Sequence, residues 1–129
     1  MRGYLLDVKA RKARTVEVSD TDRRADYQKL LDCNLVNIVS RQLEGTYFDV
    51  ICDDEALFTA DPIVSAFDST GEPALVGNLL FCNYDGQGGE TSLSDDDIEL
   101  LRRHTRLAIK PGAEDTDVNF LVVMTDLDP

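Results

Sequence analysis

Three carboxylates stand in a row at Asp53-Asp54-Glu55, directly after the apolar run Tyr47-Phe48-Asp49-Val50-Ile51-Cys52. Neighbouring carboxylates are the side chains that hold Mg²⁺ or divide acid and base roles between them. Adjacent residues of a strand point to opposite faces, so Asp53 and Asp54 can converge only where the strand has already ended. A second triplet, Asp95-Asp96-Asp97, has a structural cause. Ser94 precedes it as a helix N-cap, Asp97 answers at the third helical position, and three acids in a first turn oppose the helix dipole favourably. Glu99 also stands four residues before Arg103, the spacing of a helical ion pair.

No other constellation supports catalysis. His104 is the only histidine, and it falls among Leu100, Leu101, Leu107 and Ala108, where a packed or hydrogen-bonded role is expected. Cys33, Cys52 and Cys82 are widely spaced and lack the Cys-x-x-Cys pattern of zinc or redox sites, so they read as thiols in or near the core. The loop Asn83-Tyr84-Asp85-Gly86-Gln87-Gly88-Gly89-Glu90 has neither the Gly-Lys-Ser/Thr of a phosphate loop nor the alternating ligands of a calcium loop. No cofactor and no metal are expected.

The charge distribution is the strongest functional signal. The chain of 129 residues carries a net charge of −12. Residues 44–101 hold fourteen carboxylates and not one Lys or Arg, while 1–43 and 102–110 are mildly basic. Such a field repels nucleic acid and anionic membranes and attracts cations or basic protein surfaces. The expected partner is a basic protein surface, bound through Asp49, Asp53, Asp54, Glu55, Asp61, Asp68 and Glu72; direct nucleic-acid binding is not expected. If that surface normally grips DNA, folded carboxylates can compete for its Lys/Arg groove. The seven should then cluster on one exposed face. Two other readings compete with this one: a divalent-cation-dependent enzyme using Asp53, Asp54 and Glu55, and a structural module whose acidity is compositional. The sequence carries no signal of oligomeric state.

The positioning elements follow from apolar patterning. Residues 3–8 and 14–19 read as strands, the second alternating with Val16 and Val18 inward. The cations between and within them, Lys9, Arg11, Lys12 and Arg14, guard a sheet edge. N-cap oxygens at Ser19-Asp20-Thr21-Asp22, with Tyr27, Leu30 and Leu31 at helical spacing, predict a helix ending near Asp32. Residues 35–43 and 46–53 form a hairpin turning at Glu44-Gly45, apolar on both faces and so placed centrally.

The 54–71 segment is a long, mostly irregular connection, pinned to the core by Leu57, Phe58, Ile63, Val64 and Phe67, with a tight turn at Asp68-Ser69-Thr70-Gly71. Residues 74–82 make a strand interrupted by Gly77-Asn78, a structural bulge or close backbone approach. A second helix opens at Ser94 and runs to the stop at Lys110-Pro111-Gly112. After a connector at 113–117, residues 119–124 add a last strand. The whole is one α+β domain, 1–129, with a mixed or mostly antiparallel sheet of five to seven strands and two helices. The apolar runs fall short of the ~20 residues of a membrane span. An acid at Asp7 interrupts the start before a signal-peptide core forms, which predicts a soluble cytoplasmic protein.

Three stretches together resemble an uncharacterised domain family encoded mainly by phages and mobile elements of gut and Gram-positive bacteria. They are Tyr47-Phe48-Asp49-Val50-Ile51-Cys52-Asp53-Asp54-Glu55-Ala56-Leu57, Leu75-Val76-Gly77-Asn78-Leu79 and Thr91-Ser92-Leu93-Ser94-Asp95-Asp96-Asp97-Ile98. The likeness spans roughly residues 3–101 within a family-like core of 1–110, leaving 111–129 as connector and C-terminal strand. The chain departs from the family pattern at Ala56, where a Gly is common. The resemblance implies an accessory protein of a mobile element, acting in the bacterial host cytoplasm, which makes the expected basic partner a host or phage protein, and it supplies no catalytic residue.

Overall fold

Residues alternate sides along a strand, so Phe48, Val50 and Cys52 face one way and Ile51 the other; all four are buried. A strand buried on both faces needs cover on both, and the fold supplies it. In the computed structural model, which describes residues 1–8, 10, 12–58, 63–68, 70, 72–84, 89–109 and 118–124, with side chains through Thr105 apart from Leu57, this strand lies inside a six-stranded antiparallel sheet. Its strands are β1 (Arg2–Asp7), β2 (Lys12–Glu17), β3 (Val36–Leu43), β4 (Thr46–Asp53), β7 (Leu79–Tyr84) and the short β8 (Glu90–Thr91). Their order is β2-β1-β7-β4-β3, with β8 continuing beside β7.

Helix α1 (Arg23–Leu31) covers one face. Its Tyr27 and Leu31 pack on Leu5, Ile51, Leu80 and Cys82. Asp22 caps α1 by accepting the Ala25 N–H, and Asp32 closes it in the left-handed conformation (φ +52°). The other face carries Tyr4, Leu6, Phe48, Val50, Leu79 and Phe81, with Phe48 and Phe81 edge to face at 6.2 Å. Helix α2 (Asp95–His104) covers it with Ile98 and Leu101, and a second sheet does so with Ala66 and Leu75.

That second sheet is built from β5 (Val64–Asp68), β6 (Pro73–Val76), β9 (Thr105–Ile109) and β10 (Val118–Met124), in the order β6-β5-β10-β9. Only its β5–β10 pair is parallel. Among the described residues the architecture is a single α+β domain with two helices, as expected.

Four local expectations change. First, the second helix stops at His104 instead of running to Lys110. Thr105 is extended (φ −88°, ψ 125°), and its hydroxyl donates to the Leu101 carbonyl at 2.7 Å. Residues 105–109 then pair antiparallel with β10, and this pairing overrides helical propensity. Second, the 54–71 connection holds a strand, β5, which the Asp68 turn joins to β6 as a hairpin. Third, the strand expected over 74–82 is two strands in different sheets, broken at Gly77-Asn78. Fourth, β3 lies at a sheet edge and only β4 is central. The expected connector at 113–117 lies outside the described residues.

Candidate functional site

The acidic turn begins where β4 loses its partner. Asp53 is the last β4 residue paired with β3, opposite Val36, and the Asp54 N–H makes one more bond, to the Leu35 carbonyl at 2.9 Å. Asp53 Oδ1 then accepts the Glu55 N–H at 2.9 Å, an Asx turn that bends the chain out of the sheet. A single 3₁₀ turn, Ala56–Phe58, follows, closed by the Phe58 N–H donating to the Glu55 carbonyl at 2.9 Å. Ala56 is buried and anchors this turn against Gly77, whose added Cβ would stand 3.3 Å from the Ala56 Cβ. The side chains of Asp54 and Glu55 are exposed, and Asp53 is half-buried.

Phe58 is the residue that sequence reasoning misplaced. Expected to pin the segment to the core, it is instead 86% exposed, against 45% for Leu35, the next most exposed large apolar side chain among the described residues. The signal was its position three residues after the last of three consecutive acids, where the chain is leaving the core. Ile63, by contrast, does pack on the core.

The seven carboxylates expected to form one face are divided. Asp49 is 7% exposed, inside the sheet, and accepts the Ser40 hydroxyl at 3.1 Å. Asp68 is spent on its own turn: one carboxylate oxygen accepts the N–H groups of Thr70 and Glu72 and the Thr70 hydroxyl. Glu72 is exposed beside it. Asp68 and Glu72 close one end of the β5–β6 hairpin, and the Gly77 N–H bond to the Ile63 carbonyl closes the other. Asp53, Asp54 and Glu55 belong to the Gly77 end, a strand length of roughly 15 Å away. Asp61 lies outside the described residues.

Gly77 and Asn78 carry the chain from one sheet to the other. Gly77 has φ +80°, and the buried Asn78 accepts the Val8 N–H on its Oδ1 at 2.9 Å. Many other acids are likewise absorbed by structure. Asp22 and Asp97 cap helices, Asp26 accepts the Ser19 N–H, Asp95 pairs with Arg2, and Glu90 accepts the Tyr27 hydroxyl. His104 Nε2 lies 3.7 Å from Glu44 Oε1, joining α2 to the β3–β4 turn.

The chemistry open to the turn is limited. Among the described residues, no group of three His, Cys, Asp or Glu side chains is placed to hold a metal ion. Cys52, beside the turn, is pushed up to about 11, first by burial and then by Asp54 and Asp53, with Arg41 opposing. At neutral pH it is a thiol and not a nucleophilic thiolate. What remains is a fixed, exposed, negative turn carrying a projecting aromatic.

No helix among the described residues is long and apolar enough to cross a membrane. No curated protein and no solved structure gives a significant match to this chain. Residues 1–106 match the family described as a domain of unknown function, DUF3846, and the chain belongs to that family.

Proposed function

We propose that this protein is a non-enzymatic accessory protein of a phage or mobile element that acts in the host cytoplasm by binding a basic protein surface, in place of the DNA such a surface grips. One observation carries the reading. Asp54 and Glu55 are held exposed on a turn whose backbone is fixed by three hydrogen bonds, inside a 44–101 stretch free of Lys and Arg. Fixing like charges side by side is electrostatically costly, and a cationic partner relieves that cost. Because Asp49 is buried and Asp68 and Glu72 stand a strand length away, the contact is a compact acidic point and not a phosphate-like row.

The test is capture of host proteins by the tagged chain at about 0.1 M and about 0.5 M salt, beside a D54N/E55Q variant. The screening length is about 10 Å at 0.1 M and shrinks as salt rises. A basic, DNA-handling protein retained at low salt, released at high salt and lost by the variant is the expected result. Capture that is indifferent to salt and to the variant overturns it.

A further inference from the structure

We propose that the partner presents an apolar pocket rimmed by Lys or Arg side chains, and that Phe58 fills it while Asp53, Asp54 and Glu55 meet the rim. This rests on the binding reading above and names the chemistry of its partner. Phe58 belongs to neither hydrophobic cluster of the fold, and its ring stands almost wholly in water. An aromatic that the fold does not use is the type of side chain that anchors interfaces when it is desolvated in a pocket with a polar surround.

The turn is built to present it. Ala56 is buried beneath it, and the N–H groups of Asp54, Glu55 and Phe58 are each bonded within or next to the turn. Little ordering remains to be done on binding, so more of the contact energy reaches the affinity. Within the six residues Asp53-Asp54-Glu55-Ala56-Leu57-Phe58, the acids come first and the ring last. The acids therefore sit beside the aromatic and not across the molecule from it. Charge complementarity fixes the occupant. A second copy would bring the same 44–101 field against itself, and an anionic lipid surface would be repelled.

The experiment places the photoreactive residue p-benzoylphenylalanine at position 58 of the full chain, and in a separate chain at position 84, on the sheet. Each is irradiated in host lysate, and the crosslinked peptides are sequenced. Position 58 is expected to crosslink to apolar residues flanked in the partner's surface by Lys and Arg. With that partner purified, Phe58→Ala is expected to weaken binding at least about tenfold, with the salt dependence kept. Phe58→Leu should retain most of the affinity. Since the side chain is exposed, unchanged thermal unfolding of Phe58→Ala separates the effect from misfolding.

Crosslinking from position 84 alone, or from position 58 into an uncharged or acidic surface, overturns the proposal. So does a Phe58→Ala variant that binds as tightly as the parent. If binding in that last case still falls with salt and with D54N/E55Q, the acidic turn remains the binding site and only the aromatic anchor is wrong. If it responds to neither, the binding reading itself fails.

Discussion

The Asn78 side-chain carbonyl accepts the backbone N–H of Val8 at 2.9 Å, tying the junction between the two sheets to the end of β1 across seventy residues of sequence. Asn78 is buried, so the bond has no ready substitute from solvent. Removing one partner of a buried hydrogen bond leaves the other to bear its desolvation cost. Asn78→Ala is therefore expected to lower stability by about 1–3 kcal/mol. Urea unfolding at constant m-value reads this directly; a loss below about 0.5 kcal/mol would mean that Val8 finds another acceptor.

Gly77 and Gly45 form a matched pair for separating backbone strain from crowding. Both have positive φ, +80° and +82°. An added Cβ at Gly45 meets open space, whereas at Gly77 it meets the Ala56 Cβ at 3.3 Å. Gly45→Ala should cost about 1 kcal/mol for the left-handed conformation alone. Gly77→Ala should cost about 1 kcal/mol or more beyond that, because the buried Ala56 must give way. Equal losses in the two variants would show that the acidic turn yields freely.

The sequence displayed the central sheet because two-sided burial leaves a dense record. In the β4 run from Phe48 to Cys52, four of five residues are apolar and the fifth, Asp49, is a polar exception. Helix starts were legible for the same reason of local chemistry: Ser94 and Asp97 form the reciprocal capping box that their spacing implied. The second sheet was harder to read. β9 is strand only because β10 pairs with it, and no local residue announces a partner that begins beyond residue 117. The candidate site was half legible. Asp53, Asp54 and Glu55 stood out as charges, but the exposure of Phe58 depends on how the turn leaves the sheet, and apolarity alone predicts the opposite. The division of the seven carboxylates was invisible because Asp49 and Asp54 differ in burial and not in type.

Stability should fall in alkali. Burial pushes Cys52 up to about 11 and Cys82 up to about 12, from an ordinary value near 9. Burial also raises the Tyr27 phenol, with Cys82 and Glu90 adding to the effect. In the unfolded chain the two thiols ionise near pH 9, so above that the unfolded state releases protons that the folded state keeps. Their contribution is complete below pH 9 and is lost as pH rises through about 11 and 12, at most about 1.4 kcal/mol per pH unit for each thiol. Denaturation at pH 8, 9 and 10 should show the decline, and Cys82→Ala should flatten it. Below pH 9 a thiol reagent should modify the half-buried Cys33 quickly and the buried Cys52 and Cys82 only on unfolding.

The capping box of α2 gives a local test. Ser94 Oγ accepts the Asp97 N–H at 3.1 Å, and Asp97 Oδ2 accepts the Ser94 N–H at 3.0 Å. Ser94→Ala should cost about 1 kcal/mol. Because each residue serves the other, the double variant Ser94→Ala/Asp97→Ala should lose less than the two single losses together. Strict additivity would show that the two bonds act separately.

Asp49 and the Asp54–Glu55 pair should respond to substitution in opposite ways, and the contrast distinguishes structural acidity from functional acidity. Asp49 is buried and accepts the Ser40 hydroxyl, so Asp49→Ala should lower stability by about 1–2 kcal/mol while leaving partner affinity intact in the folded fraction. Asp54 and Glu55 are exposed, and the fold uses their backbone groups, not their side chains. D54N/E55Q should therefore change stability by less than about 0.5 kcal/mol while reducing both affinity and its salt dependence. Measuring unfolding and binding on the same three proteins gives the comparison. If Asp49→Ala abolished binding in a fully folded protein, the partner would have to reach into the sheet, and the acidic turn would cease to be the contact.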